Sequence, residues 1–381
     1  MNEENEIVII GGDHHNTLSV VRSFGRKKKN FKILIHENDK NVNDLMISHS
    51  RFSKKLYIVN NCEKEILEWL VKNQNETKQI IIACSDLAEY TIDHNYNQLD
   101  KYYLISGFIN NRGKVVKLMD KFNQKKWADD NKIKMAKSWH IDLKKDNLNL
   151  DSIEYPCIIK PNISAFGKKS DITICNSKKE LVEAIEKFKK IDYSNAIIQK
   201  FIKKKYEICA LGVIVDSENR YYGGIIKKDR ENPPQGGGSL TFAHFINDEN
   251  INRTVSSVIQ MLYDEGYRGL YDIEFLVGED DIYLNEINFR NSGNNYALQK
   301  YGIDAPYIYY LNLAKKEMYN ISIKKKSMYF MDELNEIMLW RRKHISIFDF
   351  IKDFLKASAY AKLDYKDFGI MLFFLKRKKN K

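Results

Sequence analysis

The chain has 381 residues, of which 43% are hydrophobic and 30% charged, which predicts a large core divided into two or three domains. No stretch approaches the roughly twenty apolar residues of a membrane span, and acids stand near Met1 where a secretory signal needs a basic region and an apolar run. The five cysteines form no CxxC pair, which favours reduced thiols over a zinc site. We therefore expect a cytoplasmic protein.

The formal net charge of +11 raises a nucleic-acid-binding protein as an alternative. The basic runs, such as Arg26–Lys29 and Lys203–Lys205, are dispersed and interleaved with 51 acidic residues. Dispersed charge of this kind is typical of a solvated surface. We expect no nucleic-acid partner.

The first third of the chain alternates between strand and helix patterns. Its apolar runs lie at 6–11, 31–36 and 79–84. This alternation predicts an open parallel α/β sheet with a ligand crevice at the carboxyl ends of the strands. Asp13, His14 and His15 follow the first strand, and they either face a ligand or only form a polar turn.

A lysine, Lys160, ends a short apolar strand that Pro161 stops. Lysine is costly to bury without an anion, and the polar loop 162–171 offers backbone N–H groups that suit phosphate oxygens. The alternative is a lysine whose ammonium extends to water. Two more strands follow, at 196–202 and 206–215, and Glu207 lies near the start of the second.

The segment 225–241 is basic, then contains two prolines and three consecutive glycines. Taken alone, it predicts a flexible surface loop.

The most informative segment is a predicted β-hairpin with strands at 271–277 and 282–290. Its polar residues are Glu274, Glu286, Asn288 and Arg290. Side chains alternate across a strand, so the last three share one face, and an odd-length turn would put Glu274 on that face opposite Glu286. Converging carboxylate and amide oxygens suit Mg²⁺ carried by a nucleoside triphosphate, whereas an ordinary exposed hairpin is the alternative.

The order of these segments resembles the ATP-grasp superfamily of carboxylate–amine ligases. The resemblance rests on Ile-Ile-Lys-Pro, Gln-Lys-Phe-Ile, Asp-Ile-Glu-Phe and Asn-Glu-Ile-Asn-Phe-Arg in this sequence, and it covers about residues 115 to 315. It implies an α/β (α+β) protein with the ATP-grasp fold, an N-terminal open parallel α/β domain and a helical C-terminal extension. The implied domains are 1–115, the lid subdomain 116–200, the second ATP-grasp subdomain 201–320, and the extension with a basic tail, 321–381.

The resemblance also implies a role for individual residues, with ATP and Mg²⁺, or Mn²⁺, as cofactors. The nucleotide-binding residues would be Lys121, Lys160, Ser164, Gly167, Gln199, Lys200, Phe201, Ile202 and Glu207. The metal ligands would be Glu274, Glu286 and Asn288. The catalytic residues would be Arg290, which stabilises the acyl phosphate and the tetrahedral intermediate, with Lys228 and Arg230. Lys200 and Ile202 would read the adenine edge through their backbone groups, and Glu207 would bind the ribose.

Segment 225–241 is similar to that of D-aspartate ligases and of relatives associated with surface glycans, where it borders the carboxylate substrate. This resemblance implies that Lys228, Arg230 and the backbone amides of Gly237 to Ser239 would hold an anionic acceptor or its acyl phosphate. The implied reaction joins a small-molecule carboxylate to an amine, and a cell-wall precursor, a glycan precursor and a free amino acid or dipeptide all stay open as acceptors. A homodimer is also open. The alternative is a protein that binds nucleotide without ligase chemistry. The complete set of charged site residues argues against it.

The last sixty or so residues show helical periodicity at 332–340 and 347–355. The apolar stretch 368–375 then meets the basic tail 376–381. A C-terminal helix packed on the core is one interpretation, and peripheral contact with an anionic membrane or a lipid-linked substrate is the other.

Overall fold

Three β-sheets organise the chain. The computed structural model describes residues 5–145, 149–163, 165, 171–234, 238–279, 281–317 and 328–379. The predicted mixed α/β fold class is confirmed. The domain boundaries at 115, 200 and 320 stay predictions.

The first sheet is parallel, with the strand order β3-β2-β1-β4-β5. Its strands are β1 (Ile7–Gly11), β2 (Phe31–His36), β3 (Leu56–Val59), β4 (Gln79–Ala83) and β5 (Tyr103–Leu104). Its helices are α1 (His15–Arg26), α2 (Glu63–Lys72), α3 (Asp86–His94) and α4 (Tyr96–Leu99), and 3₁₀ turns lie at Val42–Asp44 and Ile47–His49. Every residue of β1 is buried, as expected for a central parallel strand that has helices on both faces. The predicted parallel sheet is confirmed, and β3 and β5 are additions to it.

The second sheet is antiparallel, in the order β7-β10-β8-β9. It is preceded by β6 (Gly107–Phe108), α5 (Lys114–Met119) and α6 (Lys121–Asp130), and its elements are β7 (Ser138–Asp142), β8 (Cys157–Pro161), β9 (Thr173–Cys175), α7 (Lys178–Lys190) and β10 (Asn195–Lys200). Leu181, Ile185 and Phe188 of α7 form a closed apolar core with the sheet. Lys160 lies near the end of β8, where it is the register partner of Ile197 in β10, and it is a buried charged residue.

The third sheet has eight strands, in the order β15-β14-β11-β12-β13-β16-β17, with β6 paired to β14 as well. Its elements up to the C-terminal segment are β11 (Tyr206–Ile214), β12 (Tyr221–Asn232), β13 (Ser239–Ile246), α8 (Glu249–Asp264), β14 (Tyr267–Val277), β15 (Ile282–Asn288), α9 (Asn295–Tyr301) and α10 (Ala305–Leu313). Ile9 of the first sheet belongs to the same apolar cluster as Leu211 of β11 and Leu298 of α9. The first and third sheets therefore share a core.

The C-terminal segment contributes β16 (Tyr329–Met331), α11 (Glu333–Arg341), α12 (Ile347–Lys356), β17 (Ala359–Tyr360) and α13 (Gly369–Lys379). The predicted helices are present, and the two short strands that extend the third sheet are additions to the prediction. Every helix in the described part of the chain is too short or too polar to cross a lipid bilayer.

A buried ion pair fastens the C-terminal segment to the first sheet. Arg22 of α1 and Asp367 have no exposed side-chain surface, and Arg22 Nε lies 2.9 Å from Asp367 Oδ2. The same guanidinium donates to the carbonyl oxygens of Ala361 and Lys362, and the carboxylate also accepts from Ser50 Oγ. Because all these groups satisfy one another, removing one partner leaves a charge buried without compensation.

We expect Asp367→Ala to lower the free energy of unfolding by about 3–5 kcal/mol, the usual cost of breaking a buried pair. The control is Glu68→Gln, because Glu68 forms an exposed pair with Lys64 and its loss should cost less than about 1 kcal/mol. Urea titration followed by circular dichroism measures both variants. Equal midpoints for Asp367→Ala and the parent would show that the pair does not hold the segment in place.

Candidate functional site

A cavity of about 520 Å³ lies where the three sheets meet. Asp86 follows β4 of the first sheet, Lys160 belongs to the second, and Glu207 to the third. The other charged or histidine side chains that line the cavity are His14, His15, Lys121, Lys228, Asp272, Glu274, Glu286 and Arg290. A larger open cavity, of about 790 Å³, lies beside Glu6, but there Lys32 and Lys55 are already paired with that carboxylate.

The hairpin β14–β15 carries the carboxylates, and Glu274 lies directly opposite Glu286 as predicted. The reason differs from the expected one. The turn between Val277 and Ile282 has an even length, which alone would put Glu286 on the other face. A β-bulge at Asn285 supplies the extra residue and returns Glu286 to the face of Glu274.

Two lysines approach these carboxylates from the second sheet and from α6. Lys121 Nζ lies 2.9 Å from Glu286 Oε1, and the Lys121 N–H donates to the carbonyl oxygen of Asn162, just beyond β8. This contact brings the start of α6 to the end of β8, where Lys160 lies. Burial lowers the pKa of Lys160 to about 8, and the Lys121 ammonium adds to the effect, while Glu286 and Glu274 oppose it. The two lysines therefore place two ammonium groups beside the carboxylates of Glu274 and Glu286.

Glu207 and Lys228 form an ion pair across β11 and β12, where they are register partners. Burial alone would raise the pKa of Glu207, but the ammonium groups of Lys228 and Lys204 outweigh burial and hold that pKa below its usual value. Lys228 Nζ also lies 3.3 Å from the carbonyl oxygen of Gly238, which lines the cavity as well. Lys228 therefore faces the cavity, as predicted.

Arg230 is not among the described residues that line the cavity, and its proposed catalytic role stays a prediction. A register shift between Lys228 and Arg230 marks a β-bulge at Asp229, which breaks the alternation that would put both basic residues on one face. The Arg230 guanidinium instead lies 2.8 Å from both Glu336 Oε2 and Asp353 Oδ2, in the C-terminal segment.

Arg290 is held by carboxylates from two sheets. Its Nε lies 2.9 Å from Asp86 Oδ1, and its Nη1 lies 3.7 Å from Asp272 Oδ2. Its Nη2 donates to Asn288 Oδ1 at 3.3 Å. Burial would lower the pKa of Arg290, but Asp86 and Asp272 raise it above its usual value, so the guanidinium stays charged.

Asp86 and Asp272 are site residues that the sequence reasoning missed. Asp272 lies two residues before Glu274, hence on the same face of the strand, and it is opposite Asn288. That spacing could have identified it. Asp86 comes soon after β4 of a parallel sheet, where ligands commonly bind, but its contact with Arg290 joins positions far apart in the chain.

The residues of the turn after β1 differ in what they face: two line the cavity and one has a structural role. His14 and His15 line the cavity, whereas Asp13 accepts hydrogen bonds from the N–H groups of Met46 and Ile47 and so caps a turn. His15 packs so closely on Gly293 that a Cβ at Gly293 would lie 1.8 Å from His15 Cδ2. Only glycine therefore allows this approach between the first sheet and the segment after β15.

The proposed adenine-binding segment lies away from the described cavity lining. Gln199 Nε2 donates to Ser138 Oγ, Lys200 Nζ lies 2.8 Å from Glu154 Oε2, and the Phe201 N–H donates to the carbonyl oxygen of Pro156. Together with Ile202, these residues connect the second sheet to the third. Their role in nucleotide binding stays a prediction. Ser164, Gly167 and Gly237 lie outside the described residues.

The oxygen donors of the hairpin fit a hard cation. Among the described residues, no group of three or more His, Cys, Asp or Glu side chains is arranged to hold a metal ion. When Mg²⁺ also binds substrate phosphates, however, it needs only one or two carboxylates from the protein. The hairpin offers two carboxylates and an amide oxygen. In addition, Asp272 Oδ1 is buried with no hydrogen-bond partner in the described structure, so an unsatisfied acceptor lies next to the set.

Comparisons with known proteins agree with this architecture. Residues 126–300 match the model of the ATP-grasp domain. A carboxyaminoimidazole ribonucleotide synthase from Aspergillus clavatus, solved in complex with ATP, superimposes with a TM-score of 0.66 over 87% of this chain and 82% of that one, at 16% identity. The chain thus has the fold of the ATP-grasp structures. This chain carries an ATP-grasp domain at residues 126–300.

Two curated relatives resemble the chain over 48% of its length. The D-alanine–D-alanine ligase of Helicobacter hepaticus is 27% identical over 201 residues, which are 54% of that protein. The carbamoyl phosphate synthase large chain of Saccharolobus solfataricus is 24% identical over 187 residues, or 16% of that protein. The chain therefore matches about half of one relative and a smaller part of the other.

Proposed function

We propose that this chain is an ATP-dependent carboxylate–amine ligase, which forms an amide or peptide bond through an acyl phosphate and releases ADP and phosphate. The observation that carries the proposal is the convergence of Glu274, Glu286 and Asn288 with Lys121, Lys160 and Arg290 on one cavity. The resemblance to a D-alanine–D-alanine ligase supports this class of reaction.

The chemistry explains why such a set is useful. A carboxylate reacts poorly with an amine because its oxygen is a poor leaving group, and phosphorylation by ATP removes this obstacle. Lys121 and Lys160 would hold the phosphates, and Glu207 the ribose. Glu274, Glu286 and Asn288 would hold Mg²⁺, or Mn²⁺, which when bound neutralises phosphate charge.

Arg290 is the proposed oxyanion donor. Asp86 and Asp272 fix its guanidinium before the reaction, so that little reorganisation is needed when negative charge develops on the attacked carboxyl. Lys228 and the backbone at Gly238 and Ser239 would border the carboxylate substrate. A D-aspartate ligase-like or surface-glycan reaction remains our preferred subgroup, and cell-wall peptides, glycan precursors and amino acids are the acceptors to test.

The test of the function is amine-dependent release of ADP and phosphate from ATP across a panel of carboxylates. We expect turnover only when one carboxylate and one amine are both present. ATP binding without turnover for any pair would favour a nucleotide-binding protein, and replacement of the amine by nucleic acid would favour the other alternative.

We expect Glu286→Gln and Asn288→Ala to reduce turnover by orders of magnitude, because each removes an oxygen ligand from a reaction that depends on positioning. Circular dichroism should show an intact fold. Asp281→Asn, in the turn of the same hairpin, is the control and should keep parental activity. Near-parental turnover by either site variant at saturating Mg²⁺ would contradict the metal assignment.

Lys160→Ala should weaken ATP binding by about 1.5–3 kcal/mol, the scale of a charge-assisted hydrogen bond. In the parent the Lys160 ammonium carries its charge below its pKa of about 8 and loses it above, so ATP affinity should fall as the pH rises through that value. Calorimetry measures both effects. Lys160→Arg should flatten the pH dependence because arginine stays charged.

Lys200→Ala is the matched control for Lys160→Ala. The Lys200 side chain is exposed and pairs with Glu154, while its proposed role uses only the backbone. Its ATP affinity should equal that of the parent. An unchanged affinity in Lys160→Ala would instead favour a lysine that merely extends to water.

Arg290→Lys should keep ATP affinity and sharply lower the single-turnover rate. Lysine retains the charge but loses the planar fork that holds two oxygens, and an interaction made only in the transition state appears in the rate. Arg253→Lys, an exposed site on α8, is the control. Loss of ATP affinity with an unaltered single-turnover rate would move Arg290 into the nucleotide site, with Lys228 the next candidate donor.

A further inference from the structure

The helix α12 presents a stripe of large apolar side chains to solvent. The exposed fractions of Phe348, Ile351 and Leu355 are 81%, 48% and 77%. Their spacing of three and four residues puts them on one side of the helix. Three such side chains on one helix face form a contiguous apolar surface, unlike the single exposed residues that are normal on proteins.

The opposite side of α12 is already covered by the protein. The Phe350 ring stacks on Trp340 of α11 with centroids 6.3 Å apart, and the Phe354 ring lies 4.9 Å from that of Tyr360. The outward stripe is therefore not needed to attach the helix to the fold. The contacts of Phe350 and Phe354 lie on the other side of the helix and do not cover the stripe.

The rim of the stripe is basic. Lys352 and Lys356 lie on α12 itself, and Arg341, Arg342 and Lys343 lie at the end of α11 and just after it; all five are exposed. Of the two acids of α12, Asp353 pairs with Arg230, whereas Asp349 accepts a hydrogen bond from Ser346 and is exposed. The face thus combines apolar groups with a net positive border.

We propose that the face of α12 docks on the surface of an anionic phospholipid bilayer. An interfacial helix inserts its apolar side among the acyl chains while basic residues at its edge attract anionic headgroups. Beside the stripe lies an open cavity of about 470 Å³, lined by Trp340, Lys343 and His344 and also by the exposed carboxylate of Asp349.

A second copy of the chain fits this face less well than a bilayer does. A two-fold interface centred on the stripe would put the basic rim of one copy against that of the other, because the same patch meets itself in such a dimer. Like charges brought together across an interface are unfavourable. An anionic bilayer satisfies both the apolar and the charged parts.

The experiment is co-sedimentation of the full chain with vesicles of phosphatidylcholine, with and without phosphatidylglycerol. We expect binding only when the anionic lipid is present, and weaker binding as salt rises. The double variant Phe348→Asp/Leu355→Asp should lower the partition constant by about tenfold or more, because each large apolar side chain withdrawn from water changes a binding constant on that scale. Lys352→Glu should lower it by about fivefold or more.

Two controls separate this surface from others. Val182→Asp changes a side chain of α7 that is 43% exposed, and it should bind vesicles as the parent does. Leu372→Asp/Leu375→Asp changes the exposed apolar residues of α13, and it should retain most of the binding. All variants change exposed residues, so circular dichroism and ATP affinity should match the parent.

Several results would overturn the proposal. These are equal sedimentation with neutral and anionic vesicles, absence of binding to either, and loss of binding in the α13 variant but not in the α12 variant. Self-association of the parent without lipid, abolished by Phe348→Asp, would assign the face to a second copy. The assay needs no turnover, so its failure leaves the proposed ligase function untouched.

Discussion

The opposed carboxylates of Glu274 and Glu286 are the constraint on which the cavity depends. Acids directly opposite each other on adjacent strands repel, and burial makes the repulsion stronger. Lys121 compensates from α6, which is also tied to β15 by hydrogen bonds between Gln124 and the backbone of Ile287. The site is therefore a balanced charge network whose parts come from different elements, and positioning one carboxylate requires the neighbouring helix.

The sequence predicted the chemical members of the site better than their geometry. The alternation of polar and apolar residues identified Glu274, Glu286 and Asn288 correctly as one face, but the bulge at Asn285 that makes this true has no signature in the residue pattern. The corresponding bulge at Asp229 turns Arg230 away from the face of Lys228, whereas the role given to both residues came from the resemblance and not from the alternation. Periodicity assumes an uninterrupted ladder, so a single extra residue inverts every assignment beyond it.

Contacts between residues far apart in the chain could not be predicted from the sequence either. The strands of the first sheet were readable because buried parallel strands form continuous apolar runs, as in Ile7–Gly11. In the C-terminal segment, by contrast, Asp364 and Asp367 pair with Arg26 and Arg22 of α1. Such pairs join opposite ends of the chain, and local pattern carries no information about which acid meets which base.

The contact between Asp86 and Arg290 has a consequence for the history of the fold. The segment 1–115 has its own sheet and could be regarded as a module open to exchange between relatives. Yet the arginine at the centre of the cavity is oriented by an acid of that segment. A recombinant chain that received this region from a distant homologue would need a carboxylate at the same place, or its arginine would turn elsewhere. This pairing requirement adds to the apolar core that the first and third sheets share, so the two regions constrain each other through charge as well as packing.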